Sequence, residues 1–143
     1  MALVLAPTSA IAVSPALPSP LEGPGQPELA RRDTKRLAKA IAKLEAGDLT
    51  AAKKAADKAS VSAARQLLEL QLAIAESAAP PVPELERLCA DNPGYAAAWA
   101  TLTEAAVLAG QADTALEAAR RSAELWPQSP WACRIAGWSG FAC

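Results

Sequence analysis

The sequence predicts an all-α protein built from antiparallel helix hairpins, and three observations predict it. Of 143 residues, 37 are Ala and 18 are Leu, while Val and Ile together number nine. Ala gives up no side-chain entropy in a helix and β-branched residues do, so this balance favours helix over sheet. No proline occurs from Glu28 to Ala79, and apolar residues there recur at three- and four-residue spacing. Pro93 and Pro127 stand 34 residues apart, each behind a helical segment and ahead of one that carries Trp.

The N-terminal stretch is different in kind. Residues 7–27 hold six of the twelve prolines, with Gly23 and Gly25 and almost no charge. A backbone so rich in proline cannot make helix, and residues 1–27 are expected to be a leader followed by a flexible, extended tether. Met1 to Ala12 is apolar, and Ala10-Ile11-Ala12 has the small-x-small form of a signal-peptidase site, although no basic residue precedes it. Two readings follow: a leader on a periplasmic or otherwise extracytoplasmic protein, or the unstructured N-terminus of a cytoplasmic one.

The helices are expected in order over 28–130. Asp33 is the predicted N-cap of the first, whose Leu37, Ala40, Ile41 and Leu44 form one apolar face. Gly47 ends it, and Asp48 caps a second helix over about 49–60, whose buried face is nearly all Ala. The third, about Ser62 to Ser77, is apolar almost all round through Leu67, Leu68, Leu70, Leu72 and Ile74, which marks the centre of the domain. Arg65 and Glu69 form an i,i+4 pair on its remaining surface. Pro80, Pro81 and Pro83 stop it, and a short fourth helix runs to about Ala90. The fifth spans Tyr95 to Ala109 and ends at Gly110, and the sixth runs from an Asp113 cap to about Trp126. Residues 131–143 form a short cap or a frayed tail. All six aromatics lie between Tyr95 and Phe141, so the C-terminal half is expected to be the firmer one. Trp126, Trp131, Trp138 and Phe141 either fold back as that cap or leave an apolar edge through which copies could self-associate.

Charge and residue inventory exclude several functions. Histidine is absent, which removes Ser-His-Asp and Cys-His catalysis and every His-ligated metal site. No phosphate-binding glycine loop and no nucleophile elbow occur. The carboxylate pairs Glu84/Glu86 and Glu117/Glu124 lie on amphipathic helices, where exposure denies them the raised pKa that acid catalysis needs. No catalytic residue, metal ligand or cofactor is predicted, and a non-enzymatic role follows. Cys133 and Cys143 are near enough in sequence for a disulfide, against the alternative of small apolar side chains. The net charge is −1, yet residues 31–58 carry nine basic and four acidic residues, a local +5. Lys35, Arg36, Lys39 and Lys43 share one side of the first helix and form a candidate anion-binding face, the alternative being a solvated surface. No aromatic is interleaved with them, so a base-stacking platform is missing and nucleic acid is disfavoured.

Within 96–129, Trp99, Leu102, Gly110, Ala115 and Pro127 fall at the places that characterise the tetratricopeptide repeat, and this segment resembles that family. Thr103, Ala106 and Ala119 depart from it where the family has Gly, Tyr and Phe. Residues 62–95 and 33–60 resemble it more distantly. The resemblance implies helix hairpins stacked as a short α-solenoid that binds a peptide or protein segment in a groove lined by the first helix of each pair. On the best-matched repeat it implies Ala97, Ala100, Thr101, Glu104 and Leu108 as partner-binding positions. The physics concurs, since hairpins this thin cannot bury their apolar faces alone.

Overall fold

The structure, a computed structural model, describes residues 17–76, 79–129 and 131. Its regular elements are six α-helices, and no strand occurs among the described residues. They are α1 Arg31–Glu45, α2 Leu49–Asp57, α3 Ala63–Ala75, α4 Val82–Asp91, α5 Ala96–Leu108 and α6 Ala112–Leu125. Each helix packs on the next, most extensively α1 on α2 and α5 on α6, while α1 also meets α3 and α3 meets α5. The hairpin that contains the proline-rich loop, α3–α4, packs less extensively than either.

Local chemistry sets the helix ends. The Asp48 carboxylate accepts the Ala51 N–H and the Ser62 hydroxyl accepts the Arg65 N–H, each satisfying one orphan donor of a first turn. Asp33 and Asp113 are not the caps expected of them. The helices begin earlier, behind Ala30 and Gln111, and both acids lie in first turns, where they still favour the helix dipole. The Asp33 carboxylate instead accepts the Ser60 N–H at 3.1 Å, and that bond, aided by Arg36 and Arg32, holds its pKa below the usual value. Arg36 and Arg65 donate to the Lys58 and Ala59 carbonyls at 2.7 and 2.6 Å, closing the C-terminal end of α2 with cations.

Two apolar clusters meet across α3. Leu68 and Leu72 join Leu37, Ala40, Ala52 and Ala56 on one side. Leu67 joins Leu85, Leu88, Tyr95, Leu102 and Ala105 on the other. The central place expected of this helix is therefore observed. The most enclosed helix, however, is α5, with nine of its thirteen residues buried. It packs on α3, α4 and α6, and its N-terminal end meets a further neighbour.

That neighbour is the proline-rich segment. The tether expected over 1–27 does not describe residues 17–27, which lie against the helices. Pro18 and Pro20 are buried, and Leu21 and Leu29 pack against the α1–α3 cluster. A turn organises the segment. The Ser19 carbonyl accepts the Glu22 N–H, the Ser19 hydroxyl accepts the Leu21 N–H, and the Glu22 carboxylate accepts the Ser19 N–H. High proline content forbids helix, but it does not forbid burial. A segment with four apolar side chains and no charge in 17–21 has apolar surface to remove from water.

Candidate functional site

The site begins with a polar side chain in an apolar helix. Gln71 is buried on α3 among Leu67, Leu68 and Leu72, so both of its amide hydrogens need acceptors. One donates to the Pro18 carbonyl at 2.9 Å and the other to Thr101 Oγ1 on α5 at 3.1 Å. The Thr101 hydroxyl in turn donates to the Ala97 carbonyl at 2.8 Å. Gln71 thus joins α3, α5 and the proline-rich segment through one side chain.

Tyr95, just before α5, adds the second contact. Its ring is fully buried, and its hydroxyl donates to the Pro20 carbonyl. Burial pushes its pKa upward, which keeps the hydroxyl protonated as a donor. The Ala96 N–H, an orphan donor at the start of α5, binds the Pro24 carbonyl at 3.1 Å. Three donors on the helical face therefore meet three prolyl carbonyls. Proline has no N–H to leave unpaired, so the match suits this residue type.

Two glycines let the segment approach. A Cβ on Gly25 would stand 1.8 Å from the Gly94 carbonyl oxygen, and its φ is +80°. A Cβ on Gly23 would come within 2.5 Å of the Trp126 ring. Backbone-to-backbone and backbone-to-ring contact this close requires glycine.

Against this geometry the groove positions implied by the resemblance separate into two groups. Ala97, Ala100 and Thr101 are buried, so an outside partner cannot touch them while this packing holds. Glu104 is half-buried and Leu108 is exposed. Ala97 is taken up by the second apolar cluster, and Thr101 by Gln71, which also holds the Pro18 carbonyl. Gln71 and Tyr95 were not singled out, although a lone amide in a Leu-rich helix was a usable signal.

The remaining assigned residues are placed as follows. Trp99 is partly buried against the second cluster, its indole N–H donates to the Pro93 carbonyl at 3.0 Å, and the Arg121 guanidinium sits 5.3 Å from its ring centroid. Leu102 and Ala115 are buried, Gly110 takes φ +75°, and Pro127 is exposed. Trp131 is buried and Trp126 half-buried, so neither forms an exposed apolar edge; Trp138 and Phe141 lie outside the described residues. The same holds for Cys133 and Cys143. Cys89 is a buried free thiol in the second cluster, its pKa pushed up to about 12 by burial and by Glu86.

The basic face is reorganised as well. Arg36 is engaged with the Lys58 carbonyl, and Lys35 does not border the concavity between α1 and α2. Lys39 and Lys43 do, facing Lys54 and Lys58 across it. No group of three His, Cys, Asp or Glu able to hold a metal occurs among the described residues. None of their helices is long and apolar enough to cross a membrane. Compared with known proteins, the chain matches no family model, no curated protein and no solved structure.

Proposed function

We propose that this chain is a protein-interaction module whose helix hairpins stack in the manner of tetratricopeptide repeats, and whose α3–α5 face receives a Pro-x-Pro segment. The single observation that carries this reading is the seating of Pro18-Ser19-Pro20 on that face by Gln71 and Tyr95. Recognition rests on donors aimed at prolyl carbonyls and on burial of the two rings, so the specificity is for an acceptor-rich, weakly charged segment. No catalytic step belongs to this role.

The resident segment is an intramolecular competitor. Being joined to the domain by a short connection, it faces the groove at an effective concentration in the millimolar range. A partner in trans must therefore bind much more tightly or meet a chain whose own segment has been displaced. Residues 17–26 set the threshold for binding, and the groove sets the chemistry.

The test uses the full chain. Gly25→Val cannot keep its close approach to Gly94 and releases the segment. A fluorescent peptide with the sequence of residues 16–27 should then bind this variant at least about tenfold more tightly than it binds the parent, read by anisotropy. Adding Tyr95→Phe should weaken that binding. If the released variant, still helical by circular dichroism, fails to bind the peptide at millimolar concentration, the groove is no receptor and the segment is only part of the core.

A further inference from the structure

We propose that the concavity between α1 and α2, walled by Lys39, Lys43, Lys54 and Lys58, binds a compact anion carrying two or more phosphate groups. Lys39 and Lys43 come from α1, Lys54 from α2 and Lys58 from the residue that caps its C-terminal end, and Ala51 and Ala55 between them keep the concavity, of about 230 Å³, open. Folding thus gathers onto one site cations that the sequence distributes over twenty residues.

Their lack of partners is the informative feature. Several other cations of this region are engaged, Lys53 with Glu76, Arg65 with Asp57 and Glu69, Arg36 with the Lys58 carbonyl, while Arg31, Arg32 and Lys35 do not border the concavity. Of the four acids in 31–58, Asp33 is committed to the Ser60 N–H, Asp48 to the Ala51 N–H and Asp57 to Arg65, and Glu45 does not border the concavity. None of the four lysine ammonium groups forms an ion pair or hydrogen bond. Like charges four residues apart on a helix repel, and here two such pairs face each other. No carboxylate pairs with them or lines the concavity, so an anion from solution meets a cluster of positive charge there.

The residue types define the ligand. Lysine presents a point charge with three donors, suited to tetrahedral oxygens spread in space, and lacks the fork that Arg offers to a carboxylate. No aromatic residue stands in α1 or α2, so a nucleobase has nothing to stack on. The alanine floor admits a small ligand close to the helix backbones. A phosphate cluster fits these features. This site shares no residue with the α3–α5 groove, and either proposal can fail without the other.

The experiment titrates the full chain with sodium tripolyphosphate by calorimetry at low and moderate salt. We expect saturable 1:1 binding that weakens as salt rises. Lys54→Gln/Lys58→Gln should weaken it about tenfold or more, since each charge-assisted hydrogen bond is worth about that factor. Lys39→Gln/Lys43→Gln should do the same from the other helix. Lys53→Gln, which leaves the concavity intact, should change it little. Lys39, Lys53, Lys54 and Lys58 are exposed and Lys43 is half-buried, and matching circular dichroism spectra confirm folding. Competition by inositol phosphates, but none by vesicles of phosphatidylserine, would assign a free phosphate ligand. Competition by vesicles with phosphorylated headgroups would assign a lipid source of the same chemistry. Absence of saturable tripolyphosphate binding, an equal effect of Lys53→Gln, or binding only to duplex DNA would overturn the proposal.

Discussion

Tyr95 places a hydroxyl where it can serve only one partner. Its donation to the Pro20 carbonyl is buried, and Tyr95→Phe leaves that acceptor without a donor while preserving the ring. A net loss of about 1–2 kcal/mol is expected, seen as a lower urea midpoint at nearly constant slope. Cys89 has a related consequence for pH. Its folded pKa, about 12, lies above that of an exposed thiol, near 8.5. Only the unfolded chain ionises between those values, so the stabilisation is complete below about pH 8 and declines as pH rises toward 12. Tyr95 shifts in the same direction and steepens the decline. Urea unfolding at pH 7 and pH 10 should show the parent losing stability, and Cys89→Ala losing less. Equal losses in the two proteins would mean the thiol is not shielded. The same shielding predicts that Cys89 reacts with thiol reagents only as fast as the domain opens.

At the scale of elements, glycines that look alike in sequence have different duties. Gly110 takes φ +75° after α5 in open space, so Gly110→Ala costs only the left-handed backbone penalty, about 1–2 kcal/mol. Gly25 has a similar φ, but its Cβ would collide with the Gly94 carbonyl, so Gly25→Ala should detach the segment. The readout is proteolysis: the Gly25 variant should be cut rapidly within residues 17–27, and the Gly110 variant should not. Cutting at equal rates would mean that the segment is not held at Gly25. This contrast also shows what the sequence could convey. The six helices were legible to within about three residues, because Gly47, Gly110, Ser62, Asp48 and the proline cluster act locally on the backbone. The seating of Pro18 and Pro20 was not, because Gln71 and Tyr95 lie 53 and 75 residues away from them. Local periodicity carries no information over such separations. The absence of charge in residues 17–21 was the available sign, since a disordered tether is normally polar. Likewise the stripe Lys39/Lys43 was visible on its own helix, but its convergence with Lys54/Lys58 depends on how α1 packs on α2.

For the molecule as a whole, stability is set by how two unequal clusters share α3. The first is mostly alanine, with Leu37, Leu68 and Leu72 as its large members. The second holds Leu67, Val82, Leu85, Leu88, Tyr95 and Leu102, with Trp99 at its margin. Larger side chains bury more apolar area, so the second cluster should hold α4–α6 more firmly than the first holds α1–α2. Helix pairs that touch mainly their neighbours can open separately, and hydrogen exchange should register α1–α2 as the faster half. Leu67 and Leu68 make the decisive comparison, being adjacent, identical in type, fully buried and members of different clusters. Each Leu→Ala change removes the same atoms at a cost of about 2–5 kcal/mol. Leu68→Ala should accelerate exchange in α1 and α2 while leaving α5 and α6 close to their parent rates. Leu67→Ala should accelerate exchange throughout, since the firmer cluster anchors the rest. The segment over residues 17–29 touches both clusters, through Leu21 and Leu29 on one and Tyr95 on the other, and opposes this separation. Combining Gly25→Val with Leu68→Ala should therefore widen the difference between the halves and turn one urea transition into two. A single transition in the double variant, with uniform exchange, would mean that the hairpins form one cooperative unit.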